Sequence, residues 1–409
     1  MDQRPAKSLR PWLGYPFTVP WGLQQRYAAL YFSTIIWYIF LCHIEFVCTI
    51  QTPELPLSTL YPVLRAVCSA SSSVSEKNGM SAPIVGIIAN PASGRDIRRL
   101  VAHGTVFDNN EKTAIVRRVL LGLEAVGVER VAYMPEHDFG ILPRALMGQR
   151  LTLEAFPLTM PVFGTSADSA RAAQLLAEIG AGCIITLGGD GTNRAVAKGC
   201  GSIPLIPIST GTNNVFPSFI EGTIAGMAAG LLARGLSPAH ITKHMPRLVV
   251  HVDGQEADSA LVDVVVSSLQ FIGARALWDL SVVREVVLAR VAPATIGLSA
   301  LGGALLNSVG DTSEQVGIHI ELGTSDHEVL AALAPGLVTW VGIRACRRLA
   351  MYDKVTFHAG TGTVALDGER EIELSPSSVV EVQLRPDGPV VVDVPAALEA
   401  AALAGLLRR

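Results

Sequence analysis

The chain has 409 residues, 49% of them apolar and only 17% charged, with a formal net charge of −4 and a mean hydropathy of +0.39. That length suits two domains, the apolar share excludes a largely disordered chain, and the acidic balance excludes the basic footprint of a nucleic-acid binder. Six scattered cysteines without a CxxC pair exclude a disulfide scaffold and give no structural zinc site, so a soluble, reduced, cytoplasmic protein acting on small molecules is expected.

Residues 1–82 do not resemble the rest. Trp12, Trp21 and Trp37, of five Trp in all, lie there, with five of the seven Tyr. A hydrophobic run covers 27–50, and its uncharged part, 27–44, just reaches the length of a membrane span before Glu45 interrupts it. A polar linker follows over 69–82. Four readings stay open: a membrane anchor or surface helix, oriented by Arg4, Lys7, Arg10 and Arg26; a secretory leader; an extra buried element; or a segment foreign to the functional protein. On the last reading, a chain starting at Met80 is soluble and active. Membrane contact is expected only if this run is a genuine membrane element.

Residues 83–246 read as an α/β domain. The run 84–89 (IVGIIA) is continuously apolar, as in a strand covered on both faces. A helix is predicted over 112–126, a strand over 130–134, and a helix over 167–179 capped by Ser166. The strand 183–187 (CIITL) runs into GGDGT and a short helix; the strand 204–208 (PLIPI) runs into STGTNN. Alternation of this kind predicts a doubly wound parallel sheet with its ligand at the carboxyl ends of the strands.

From 247 to 392 the texture becomes β-rich, with strand-like segments at 248–252, 261–266, 315–322, 354–357, 363–366 and 379–384. Asp253-Gly254 and Asp367-Gly368 mark turns. The stretch 277–291 reads as a helix, and the basic run 344–348 (RACRR) as a solvated helix face. An Ala/Leu helix at 394–407 fills the last part of the chain, 393–409.

Chemistry concentrates in the strand-end turns. In Gly188-Gly189-Asp190-Gly191-Thr192 the glycines admit close approach of a phosphate chain, and a helix start offers amides to it. Asp190 would repel a triphosphate unless it met a magnesium ion or took a proton from an attacking hydroxyl; the alternative is a plain turn with Asp190 as a cap. Asn90-Pro91-Ala92-Ser93-Gly94 and the turn from Ser209 to Asn214 have the same polar, glycine-bearing character. No Walker GxxxxGK[ST] is present. Asp367-Gly368-Glu369 is a further candidate, although most DG pairs are only turns. Cys183 and Cys200 flank the GGDGT helix and read as buried.

GGDGT after a hydrophobic strand, with the NPASG and STGTNN turns, resembles the NAD kinase / diacylglycerol kinase superfamily. GGDGTNRAVAKG and GTNNVFP are most similar to its branch of ATP-NAD kinase-like proteins called acetoin-catabolism protein X. The resemblance runs from about Pro83 to the C-terminus. It implies an α/β nucleotide domain followed by a β-sandwich domain, and a kinase that uses ATP and Mg²⁺. The acceptor it implies is NAD, with NADP as product; an acetoin-catabolism link comes with the branch name. Related kinases are commonly oligomeric, which leaves a homo-oligomer open. Carried over by position, Asp190 engages the acceptor hydroxyl, and Gly188, Gly189, Gly191 and Thr192 surround the phosphates. Asn90, Ser93 and Gly94 contact ATP, while Thr210, Gly211, Thr212 and Asn213 line the nucleotide cleft. Asn193, Asn214, Asp263, Asp367 and Glu369 fall on the substrate side. No protein metal ligand is implied, because the phosphates hold the magnesium.

The departures open alternatives. Val262-Asp263 stands where NAD kinases carry Asn-Glu, and 293–303 matches their Thr-Gly-Ser-Thr-Ala-Tyr segment only loosely. NPASG and DGE resemble the lipid kinases, yet Arg194 and Ala195 replace the Asn-Glu those enzymes carry after GGDGT. A lipid or polyol kinase and a catalytically inactive nucleotide-binding regulator are therefore the rival readings.

Overall fold

The computed structural model describes residues 82–94, 103–104, 107–269, 280–305, 316–358 and 360–408. Apart from Ala82, the divergent N-terminal stretch 1–82 lies outside them. Among the described residues, no helix is long and apolar enough to cross a membrane.

In chain order the first elements are β1 (Ile84–Ala89), α1 (Asn109–Ala125), β2 (Arg130–Tyr133), α2 (Ile141–Leu146), β3 (Glu154–Pro157), α3 (Ser166–Glu178), β4 (Cys183–Gly188), α4 (Asp190–Ala197), β5 (Leu205–Ser209), α5 (Gly222–Ala233) and β6 (Thr242–His244). Then come β7 (Arg247–Val252), β8 (Gln255–Ala260), β9 (Asp263–Ser267), β10 (Val283–Leu288), α6 (Leu298–Ala304), β11 (Gly317–Leu322), β12 (Glu328–Ala334) and β13 (Leu337–Leu349). The chain continues through β14 (Lys354–His358), β15 (Gly362–Leu366), β16 (Glu369–Leu374), β17 (Val379–Arg385), β18 (Val390–Val392) and α7 (Val394–Leu403).

The first sheet has the order β3-β2-β1-β4-β5-β18-β6. Strands β1 to β5 are mutually parallel where they pair, and β18 joins parallel to β5. Every residue of β1 and β4 is buried, because helices cover both faces: α1, α2, α5 and α7 on one, α3 and α4 on the other. That double cover is why these strands are apolar without alternation. Helices α1 and α5 pack at backbone distance; a Cβ at Gly226 would stand 2.2 Å from the Val119 carbonyl oxygen. The helix after β3 starts at Ser166, one residue earlier than predicted. Thr165 is the cap, because Asp168 reciprocates its hydrogen bond in a capping box.

The second half is antiparallel, with a seven-stranded sheet β12-β13-β11-β10-β9-β15-β16 and a four-stranded sheet β14-β17-β7-β8. Leu248, Val250, Val264, Val266, Val364, Val380 and Val382 fill the space between them. Helix α6 covers the other face of the larger sheet. Two expectations are corrected here. Within the predicted helix 277–291 the described residues form a 3₁₀ turn, Leu280–Val282, and then β10. β10 is rich in valines that pair with β9 and β11, and such side chains favour a sheet interior. The basic run 344–348 lies on β13, not on a helix.

After β17 the chain returns to the first sheet, where β18 pairs with β5 and β6 and α7 buries Ala397 and Ala401 in the first core. Phe216, Leu261 and Val262 form a small cluster joining the two halves.

Candidate functional site

Three strand-end turns meet at the C-terminal edge of the parallel sheet. The Asn90 side chain donates to Thr192 Oγ1 at 3.0 Å, tying the turn after β1 to the one after β4. Ser93 Oγ lies 3.0 Å from Thr210 Oγ1, tying it to the turn after β5. Asn214 Nδ2 reaches Ser209 Oγ at 2.9 Å and the Gly211 carbonyl at 3.3 Å. These bonds surround a cavity of about 960 Å³, within the range of small-molecule sites.

The first turn is held from behind. Lys112, fully buried on α1, donates to the carbonyls of Asn90 (2.9 Å), Pro91 (3.3 Å) and Ser93 (2.6 Å). An ammonium that gathers a turn's carbonyls on one side fixes that turn and lends it positive potential. The motif reading missed Lys112; its signal is a lysine in register with the buried stripe Ile115, Val116 and Val119.

Helix α4 begins at Asp190, and no side chain caps it; Gly189, Asp190, Gly191 and Thr192 all line the cavity. Such a helix end is an anion site. The Asp190 carboxylate accepts the backbone N–H of Val215 (3.1 Å) and Phe216 (2.7 Å). From the other side Arg290 donates to the carbonyls of the same two residues, at 3.2 and 3.1 Å. Burial lowers the pKa of this guanidinium, and the nearby Asp190 charge opposes that fall. Asp190 and Arg290 therefore clamp the loop after β5 through both edges of its backbone.

Among the described residues, the second half contributes three side chains to the cavity wall: Asp367, Glu369 and Glu371. They sit on the tight β15–β16 hairpin, where Asp367 (φ 51°) and Gly368 (φ 78°) both take positive φ, as a two-residue hairpin turn requires. Asp367 accepts the N–H groups of Leu261 (3.0 Å) and Val262 (2.7 Å), and Asp263 accepts that of Gly368 at 3.2 Å. Burial and the neighbouring Asp263 push the Asp367 carboxyl well above the usual range, against the pull of Arg194. Arg194 of α4 pairs with Asp258 at 3.1 Å and with Glu371 at 3.0 Å.

Of the residues singled out in the sequence, Asn90, Ser93, Gly94, Gly189, Asp190, Gly191, Thr192, Thr210, Gly211, Asn213, Asn214, Asp367 and Glu369 line the cavity. Gly188, Asn193, Thr212 and Asp263 are outside its lining. Asn193 is buried, with its side chain bonded to Thr186 at 2.6 Å and to the Gly189 carbonyl at 2.9 Å. The cavity extends past the ends of β2 and β3, where Met134, Val162 and an exposed Phe163 line it; sequence motifs gave no sign of that end. Cys183 and Cys200 are buried, which pushes their thiols up to about 12 and about 11. Away from the cavity, His319 Nε2 lies 2.6 Å from Glu285, while Arg347 Nε donates to Nδ1 at 3.3 Å. That donor leaves the proton on Nε2, facing Glu285.

Residues 85–236 match the ATP-NAD kinase N-terminal domain, and residues 246–387 match the acetoin catabolism protein X C-terminal domain. Acetoin catabolism protein X of Cupriavidus necator is 40% identical over 344 residues, covering 80% of this chain and 94% of that protein. The chain belongs to the acetoin catabolism protein X family. An NAD kinase-like α/β domain precedes the β-rich one. A diacylglycerol kinase from Bacillus anthracis str. Sterne aligns with TM-score 0.38 and 13% identity over 78% of this chain and 99% of its own. A putative diacylglycerol kinase of the same strain aligns with TM-score 0.36 and 13% identity over 79% and 99%.

Proposed function

We propose that the protein is an ATP-dependent phosphotransferase whose nucleotide lies in the cavity. The observation that carries this reading is the bonding of three separate turns, through Asn90–Thr192 and Ser93–Thr210, around one cavity. The start of α4 and the Lys112-backed turn receive the phosphates, and the Met134, Val162 and Phe163 end receives the base. The Asp190 and Asp367 carboxylates already accept backbone amides, so the phosphates would hold the magnesium; Asn213 Oδ1, buried without a hydrogen-bond partner, is a side-chain oxygen open to it. Bound with the nucleotide, magnesium would neutralise phosphate charge.

In the transfer, the acceptor oxygen forms a bond to the γ-phosphorus, the bond from that phosphorus to the β-phosphate oxygen breaks, and ADP leaves. The hydroxyl proton passes to a carboxylate at the end where Asp190 and Glu369 flank Gly191. Positioning and charge do most of such work. Backbone amides occupy the Asp190 carboxylate and tie it to the loop, which favours Glu369 as the proton's destination and Asp190 as the residue that fixes the hydroxyl's surroundings.

NAD is the acceptor that the matched kinase domain suggests. An acceptor free of phosphate, a small polyol or ketol, is the second reading, favoured by the three carboxylates of the β-rich wall. The relative's name adds acetoin to that group. The test is transfer of labelled γ-phosphate from MgATP to NAD, NADH, diacylglycerol micelles, polyols and acetoin. NADP formation supports the first reading and label on a neutral hydroxyl the second. MgATP binding without turnover on any acceptor identifies a regulator instead. Asp190→Asn lowers turnover by about 10²–10⁴-fold if its carboxylate takes the proton; loss of MgATP affinity at similar turnover assigns it to loop holding.

A further inference from the structure

Helix α4 carries a buried cation that the phosphate chemistry does not use. The Arg194 side chain is 9% exposed. It reaches Asp258 Oδ2 on β8 at 3.1 Å, Glu371 Oε1 on β16 at 3.0 Å and, through Nε, Asp367 Oδ2 at 3.6 Å. Lys198, one turn on, takes the other Asp258 oxygen at 2.7 Å. Three acids of the β-rich half thus converge on one guanidinium of the α/β half. Beside them, the Glu369 carboxylate oxygens lie 3.5 and 3.7 Å from where a Cβ on Gly191 would stand.

We propose that Arg194 is a positioning residue, pinning the β15–β16 hairpin to α4 so that Glu369 stays over the phosphate-facing end of that helix. The purpose of this pin rests on the kinase reading; its geometry does not. A planar fork holds two carboxylates in fixed directions, whereas a lysine is a point charge on a flexible stem. Burial works against the Arg194 charge, but Asp367, Asp258, Glu371 and Glu369 outweigh it and hold the guanidinium above its usual range. The interaction runs both ways, so the cation favours the ionised form of Glu369. The charged groups around the pin are Asp190 and Lys198 beside α4, Asp258 on β8, Asp263 on β9 behind Asp367, and Glu369 and Glu371 on β16.

The test uses the full chain labelled with ¹³C-carboxyl glutamate, the Glu369 resonance being assigned with Glu369→Gln. Arg194→Met raises the pH at which Glu369 titrates, and Arg194→Lys raises it less. Affinity for a non-hydrolysable MgATP analogue holds in both, because the nucleotide turns are untouched, while turnover on any acceptor found above falls with the MgATP KM unchanged. Circular dichroism checks folding. Should the Met variant fail to fold, the Lys variant, which keeps charge but loses the fork, carries the measurement. An unchanged Glu369 titration in a folded variant overturns the proposal. A shifted titration in a chain that binds no MgATP removes the kinase reading and leaves the pin standing.

Discussion

The two halves of the molecule meet at one cavity with opposite chemistry. The α/β half supplies backbone turns, hydroxyls and the start of α4, with Lys112 buried behind the first turn. The described part of the β-rich half supplies only carboxylates, Asp367, Glu369 and Glu371. One wall is built to receive anionic charge, and the other to repel it unless a cation or a hydroxyl intervenes. Binding and choice of acceptor are thus divided between halves. Nucleotide affinity should follow changes in the first wall, and acceptor chemistry changes in the second.

The most damaging expected change on the binding wall is Lys112→Met. It strands the Pro91 and Ser93 carbonyls and the buried Asn109 Oδ1, while the Asn90 carbonyl keeps Ser93 Oγ, at about 1–3 kcal/mol for each buried unsatisfied group. Chemical denaturation should show at least about 3 kcal/mol lost on that basis, with MgATP affinity falling too. Stability lost at unchanged affinity would mean that the turn keeps its shape without the lysine. Gly226→Ala is a control at a distance from the cavity. Its Cβ meets the Val119 carbonyl, and overpacking of this kind costs about 1–3 kcal/mol. In the fraction that stays folded, nucleotide affinity should not change.

How far these walls were legible depended on how local their signals were. Strands β1, β4 and β5 are short apolar runs ended by polar turns, and both the strands and the turn residues stood out without any knowledge of the fold. Their meeting did not: Asn90 and Thr192 are 102 residues apart, and Ser93 and Thr210 are 117 apart. β10 looked helical because its valines and Arg284 also fit a helical period; only pairing with β9 and β11 resolves it. The arginines of β13 carried no information about secondary structure, since solvated charge suits a strand as well as a helix. The return of β18 and α7 to the first sheet has no local signature at all. Asp263 and Asp367 appeared as lone acids, and it is the hairpin that folds one behind the other.

On the other wall, Asp367 gives a pH signature. Its folded pKa lies above its unfolded value, because of burial and then Asp263. The folded state therefore holds this proton where the unfolded state has released it. The stability it contributes is full below the unfolded value near 3.8 and is lost as pH rises through the folded value. Asp367→Asn removes that loss. The stability of the wild type relative to the variant, measured by denaturant titration, should fall as pH rises from about 4, with MgATP affinity little changed. A difference independent of pH would show the Arg194 charge overriding burial, leaving Asp367 ionised throughout.

Phe163 gives the smallest and cleanest contrast. The residue is 72% exposed yet lines the cavity, so Phe163→Ala leaves almost no hole and should leave stability within about 0.5 kcal/mol of the parent. If the base of the nucleotide stacks there, its loss costs about 0.5–1.5 kcal/mol, a Kd for MgATP raised by about 2–12-fold. Inorganic tripolyphosphate with magnesium has no base to stack, so its affinity should be the same in both proteins. Equal losses for the two ligands would place Phe163 beside the phosphates and reverse the direction in which the nucleotide lies along the cavity. The base would then stand against the β-rich wall, and affinity for ATP and choice of acceptor could no longer be assigned to separate halves.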